Sequence, residues 1–286
     1  MKDSYHLTLS CDNRPGIVAS VATALFDAGA DITEAQQFDD PWATRFFMRV
    51  AFEIQEQPAG MVLLRDRLSP IAQQYGMQWH LRSCEQRYRV LVLVSKLDHC
   101  LVDLLYCQRI GELQMDIVGI VSNHPKESLN VALPPHVPYH YLPVNKSNKT
   151  QQDEQLRCVI EETGTELVVL ARYMQILSTS LCKFLMGRCI NIHHSFLPGF
   201  KGARPYTQAF DRGVKMIGAT AHYVTEDLDE GPIIAQDVES VSHTDTAQAL
   251  ANKGRDIERR VLALAVRYHL EDRVLLNGSK TVVFRD

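Results

Sequence analysis

Between residues 80 and 89 the hydrophobic pattern of this 286-residue chain changes in kind, and that change limits the possible folds more than any other feature. Before it, apolar residues alternate with polar ones in short runs, as in strands buried on one face. After it comes RVLVLV, residues 89–94, an unbroken apolar run of the sort found in strands covered on both faces. The polar stretch RSCEQRYR separates the two regimes. The chain therefore reads as two domains, residues 1–84 and 85–286, in keeping with domains of about 150 residues each.

In the first domain, residues 5–10 alternate as a strand and CDNRPG makes a turn. Ile17, Val21, Ala24, Leu25 and Ala28 then recur at helical spacing until Gly29 stops the helix. Strands at 31–38 and 45–54, joined through Asp39, Asp40 and Pro41, a helix at 60–75 and a strand at 77–81 complete the order βαββαβ. That order predicts a small antiparallel sheet with both helices on one face. In the second domain, strands at 89–94, 117–122, 166–170 and 189–193 alternate with helices at 100–109, 153–162 and 178–186. This predicts an α/β fold with a mostly parallel sheet, binding its ligands at the carboxyl ends of the strands. An antiparallel pair at 215–224 and 233–241, a long helix at 244–271 and a final strand at 280–284 follow.

Thirty basic against thirty-four acidic residues give a net charge of -4, so no basic excess exists to hold a nucleic acid. The apolar runs fall far short of the about 18 residues of a bilayer span, so no membrane partner is expected. The first residues, MKDSYHLTLS, lack a signal core, and the expected location is the cytoplasm. Seven scattered cysteines without C-x-x-C argue against a disulfide framework or a zinc knuckle.

Two motifs carry the chemistry. In NIHHSFLPGFKGARP, residues 191–205, a buried strand runs out into a loop rich in Pro and Gly. Strand alternation points Asn191 and His193 the same way and His194 the other. An amide beside an imidazole can hold a carbonyl oxygen as charge develops on it, and the imidazole can also carry a proton. In GATAHYVTEDLDEGPIIAQ, residues 218–236, His222 lies on a strand, and Glu226, Asp227, Asp229 and Glu230 lie in the loop beyond it. Asp229 directly precedes the Glu-Gly-Pro turn, whose restricted geometry can aim a side chain back into a cleft. The histidines and carboxylates include metal-ligand types, but no H-E-x-x-H or H-x-x-E-H occurs, and no metal is expected.

These two motifs, in this order, resemble the formyltransferase catalytic domain of glycinamide ribonucleotide formyltransferase and its relatives that use formyltetrahydrofolate. The resemblance implies a Rossmann-like domain in which Asn191, His193 and Asp229 are catalytic and His222 supports Asp229 or His193 through a hydrogen bond. It makes LVVLARYMQILS, residues 167–178, the folate-binding segment. The pterin would lie against Met174, Ile176 and Leu177, with the loop around Asp227 as the other wall. Residues 3–81, with D-N-R-P-G-I at 12–17, resemble an ACT domain, and the combination resembles the deformylase branch of the family.

The family passes formyl to amines or to water. In the transferases of glycinamide ribonucleotide a Gly-rich loop after the first strand holds the acceptor's phosphate. Here SKLDHCLVDLL follows that strand, with no glycine before Gly111, and Leu97, Asp98 and His99 occupy the turn. The expected reaction is therefore hydrolysis of 10-formyltetrahydrofolate to formate and tetrahydrofolate, with Asp229 activating water and Asn191 and His193 stabilising the oxyanion. Formyl transfer to an amine is the alternative. The folate is the substrate and no cofactor is expected. The ACT resemblance implies a homo-oligomer and a small amino-acid effector, methionine or glycine.

Overall fold

The computed structural model describes residues 3–54, 59–145, 147–199 and 205–285. The chain divides into two compact units, Met1–Arg87 with Glu271–Asn277 and Val282–Asp286, and Tyr88–Leu270 with Gly278–Thr281.

The first unit has the βαββαβ order: β1 (Asp3–Asp12), α1 (Ile17–Asp27), β2 (Ala30–Asp40), β3 (Arg45–Ile54), α2 (Ala59–Tyr75) and β4 (Gln78–Ser83). Its sheet is antiparallel in the order β2-β3-β1-β4 and fits an ACT-like fold. Leu7 pairs with Val50 on one side and Leu81 on the other, and alternation puts Leu7, Leu9, Cys11, Val50 and Phe52 on one face. There they pack in one core with Ile17, Val21 and Leu25 of α1 and with Leu64 and Leu68 of α2. Gly16 opens α1 at φ +92°, and a Cβ there would come 2.9 Å from the Tyr75 hydroxyl.

Arg49 of β3 is only 2% exposed, and its charge is answered on several sides. Its guanidinium donates to Glu34 Oε2 at 2.7 Å, His6 Nε2 at 2.9 Å and the Glu271 carbonyl at 3.0 Å. Asp272 accepts from His6 Nδ1 at 3.1 Å and from Arg82 at 3.3 Å. Residues late in the chain thus complete a polar cluster on its first sheet.

The second unit comprises β5 (Tyr88–Val94), α3 (His99–Arg109), β6 (Met115–Ser122), β7 (Tyr139–Tyr141), α4 (Lys149–Glu162), β8 (Leu167–Leu170), α5 (Thr179–Phe184), β9 (Cys189–His193), α6 (Pro205–Asp211), β10 (Met216–Tyr223), β11 (Ile233–Ser240) and α7 (Ala247–Leu270). The chain ends in the short strands β12 (Val274–Asn277) and β13 (Lys280–Val283). The large sheet runs β11-β10-β9-β8-β5-β6-β7, parallel from β9 to β7 and antiparallel across β10 and β11. Leu91, Leu93, Val168 and Leu170 are buried in a core that α4 and α5 complete through Leu156, Ile160 and Leu181. Among the described residues no helix is long and apolar enough to cross a membrane.

The long helix starts at Ala247 rather than at 244, because Thr246 Oγ1 accepts the Ala249 N–H at 3.2 Å and caps it. Strand β7 was not expected; it is three residues long in a segment rich in proline, with no alternation to read. Helix α6 and strand β12 are also short and escaped the sequence reading. All seven cysteines are free.

The segment after β9 is fastened by one buried hydroxyl. Thr220 Oγ1, on β10, donates to the Ser195 carbonyl at 2.9 Å and accepts from the Leu197 N–H at 3.0 Å and from Gln236 Nε2 at 2.9 Å. Thr220→Val keeps the shape and deprives all three groups of that partner. It is expected to destabilise the protein by about 1–3 kcal/mol. A urea midpoint equal to that of the wild type would show that the network contributes nothing to stability.

Candidate active site

Parallel strands β5, β8 and β9 end at the same edge of the sheet, so the segments that follow them converge there. A cavity of about 300 Å³ opens at this edge. Met174, Ile176 and Leu177, from the segment after β8, line it, as do Asp227 and Asp229 from the β10–β11 loop and Asn191, His193 and His222 from the strands. The fold thus brings all eight residues singled out in the sequence into one cavity. His194 lines it too, because β9 ends at His193 and alternation no longer governs the next residue; the two rings stack 4.9 Å apart.

Two local features put Asp229 in place. Its φ is +59°, a left-handed conformation that a residue with a side chain rarely adopts. Two residues on, a Cβ at Gly231 would fall 1.7 Å from the Tyr223 carbonyl oxygen, so only glycine lets the loop return this close to β10. The carboxylate then meets His193, Oδ1 lying 3.2 Å from Nδ1. That hydrogen bond first, opposed by burial and helped by the charges of neighbouring histidines, holds the Asp229 carboxyl below its usual range.

His222 fixes the asparagine. Antiparallel pairing sets His222 directly across from Asn191. Its Nδ1 lies 2.8 Å from the Tyr223 carbonyl oxygen, which can only accept, so Nδ1 carries the proton. Burial pushes the pKa of His222 below 6.5, against the Tyr223 hydrogen bond and the charge of Asp229, so the ring is neutral at pH 7 and Nε2 is an acceptor. Asn191 Nδ2 donates to it at 3.2 Å, which settles which end of the amide is nitrogen. Asp229 Oδ1 is 3.9 Å from His222 Nε2, beyond a hydrogen bond, so the partner of His222 is Asn191, which the sequence reading did not foresee.

Sequence reasoning missed Ser95 and Arg172. Ser95 Oγ donates to Asn123 Oδ1 at 2.7 Å and accepts the Met174 N–H at 3.0 Å, and the Ser95 N–H donates to the Arg172 carbonyl at 3.2 Å. The cavity segment after β8 is therefore tied to the end of β5. Arg172 itself lines the cavity and, like Asp229, has a positive φ, +65°. Among the described residues, ligand-type atoms of His99, Cys100 and Glu258 lie within 4.8 Å of one another. Burial raises the Cys100 thiol well above its ordinary range, and Glu258 already faces the Arg172 guanidinium, so this donor set fits a hydrogen-bonded cluster better than a metal.

Residues 88–266 match the formyl transferase family. The similarity to deformylases extends further. Formyltetrahydrofolate deformylase of Corynebacterium sp. (strain P-1) is 48% identical over 279 residues, covering 98% of this chain and 97% of that relative. The enzyme of Bacillus subtilis (strain 168) is 44% identical, covering 99% and 94%. The crystal structure of formyltetrahydrofolate deformylase from Burkholderia mallei superposes with a TM-score of 0.93 at 49% identity, covering 99% of this chain and all of that one. The chain belongs to the formyltetrahydrofolate deformylase family.

Protonating His222 would set an N–H against the Asn191 amide and turn the amide away. Turnover is therefore expected to fall with a midpoint below pH 6.5, the ordinary value for histidine. In His222→Gln a side-chain carbonyl can accept in place of Nε2, and this limb should vanish from the pH profile. A limb that persists unchanged in His222→Gln would show that another group titrates.

Proposed function

We propose that the chain hydrolyses 10-formyltetrahydrofolate to formate and tetrahydrofolate, with Asn191, His193 and Asp229 as its catalytic groups. The observation that carries the assignment is the convergence of an oriented amide, an imidazole and an ionised carboxylate on one cavity wall. The pterin lies against Met174, Ile176 and Leu177, with the loop at Asp227 opposite. Met174 and Ile176 are largely exposed, so the flat face of an aromatic ring gains burial there.

Asp229 positions a water beside the formyl carbon. Because His193 holds its carboxyl below the usual range, Asp229 stays ionised at neutral pH and is a weak base. It takes the proton only as negative charge moves onto the formyl oxygen. The Asn191 amide and the His193 imidazolium, itself held by Asp229, donate to that oxygen. When the tetrahedral species collapses, the carbon–N10 bond breaks, N10 takes a proton, and formate and tetrahydrofolate leave. No metal or cofactor enters these steps.

Water is the nucleophile in this reading because the turn after β5 offers no phosphate cradle. Its Ser95 hydroxyl is committed to Asn123 and Met174, and Asp98 Oδ2, which accepts the Asn130 N–H at 2.6 Å, adds a negative charge. The N-terminal unit is read as an ACT-like regulatory domain for a small amino acid, methionine or glycine, in a cytoplasmic homo-oligomer. Its βαββαβ order and the D-N-R-P-G-I turn support that reading.

Purified protein given 10-formyltetrahydrofolate in buffer alone is expected to release formate, at a rate altered by methionine or glycine. Asn191→Ala should lower turnover about 100-fold to 1,000-fold. Asp229→Asn should lower it at least as far. Full activity of Asp229→Asn would remove the base, and no formate without an amine would favour transfer.

A further inference from the structure

We infer that Arg172 and Glu258 are specificity-determining residues, an ion pair that closes the cavity on the side of the β5–α3 turn and reserves the formyl carbon for water against amines. The inference rests on the hydrolytic reading above and names what enforces it.

Glu258 is a carboxylate on the apolar face of α7, only 1% exposed, among Leu250, Ile257, Val261 and Leu262. Donors from three other segments converge on it. His99, at the start of α3, lies 2.8 Å from Oε2; Arg172 Nε lies 3.3 Å from the same oxygen; and the Tyr206 hydroxyl of α6 donates to Oε1. Burial raises the Glu258 carboxyl, but His99, Arg172 and Tyr206 together bring it below its ordinary value, so it is ionised. A Cβ at Gly254 would collide with the Tyr206 ring at 2.0 Å, so α7 has made room for that phenol.

Arg172 is the member of this cluster that borders the cavity. It belongs to the cavity wall, is 9% exposed, and its Nε–H is not aligned for a hydrogen bond with any side chain despite its ion pair. Its positive φ is a conformation in which glycine would be unstrained. A bulky cation held there against backbone preference has a task in the site, since strain of this kind persists where the surroundings impose it. The Ser95 N–H bond to the Arg172 carbonyl and the His99 bond to Glu258 put the pair beside the segment that follows β5. An amine approaching from that side would have to separate a buried ion pair and leave the carboxylate to His99 and Tyr206 alone, whereas a water needs only the space by Asp229.

If an amine entered, its nitrogen would bond to the formyl carbon, the carbon–N10 bond would break and the amine proton would pass to N10. The products would be a formamide and tetrahydrofolate in place of formate and tetrahydrofolate. The experiment supplies 10-formyltetrahydrofolate with glycinamide or hydroxylamine and measures the ratio of formylated amine to formate. Wild type should give almost all formate, whereas Arg172→Gly, which suits the backbone, should raise the ratio about tenfold or more. Glu258→Gln, which keeps the size but removes the charge and one of the two acceptor oxygens and so frees Arg172, should raise it in the same direction, and it decides the matter if Arg172→Gly does not fold. A ratio equal to wild type in a folded variant overturns the inference. Absence of formate from wild type without amine counts against hydrolysis itself, while the formylated amine in the variants is still read.

Discussion

His222 stands across the β9–β10 ladder from Asn191, and the direction of that single strand pair governs the site. The strands from β9 to β7 run parallel, so their carboxyl ends can supply residues from one edge only. An antiparallel neighbour brings a residue back to the same edge from the opposite direction. It also lets the chain fold over as the loop that carries Asp229. With β10 reversed, the amide would have no imidazole to orient it and the carboxylate would emerge at the far end of the sheet.

Charge and backbone strain concentrate where that loop and the segment after β8 meet the cavity. Asp229 and Arg172 are two of four non-glycine residues with positive φ among those described, and both line the cavity. Each is held by a partner of opposite charge, His193 for the one and Glu258 for the other. The protein accepts an unfavourable backbone at both places, which fixes an anion and a cation at set points of one cavity. Such fixed charges need no rearrangement as the reaction proceeds, which is why an enclosed site gains more from them than water could supply.

Much of this was legible in the sequence. Period-two and period-3.6 patterns identified β1, α1 and the buried strands, and the strand-end position of Asn191 and His193 followed from alternation. The Glu-Gly-Pro turn pointed to Asp229, and the structure adds the reason, a glycine whose Cβ would strike the Tyr223 carbonyl. What could not be read were contacts between segments far apart in sequence. Arg172 looks like an ordinary residue after an apolar strand until its left-handed backbone is seen. Glu258 did leave a signal that went unread: it falls on the apolar stripe of α7, four residues from both Gly254 and Leu262, where a charge requires a partner. His222 was recognised, but its bond to Asn191 depends on strand register, which alternation alone does not supply.

The polar cluster around Arg49 bears on how the polypeptide is made. Its carbonyl acceptor at Glu271 and its neighbour Asp272 emerge from the ribosome more than two hundred residues after the guanidinium they serve. Until then, the nascent β-sheet has only Glu34 and His6 to answer the guanidinium. A fragment cut at the first unit's apparent border would carry the same unfinished patch for good. Completion of the opening domain is in this sense a late event in biosynthesis.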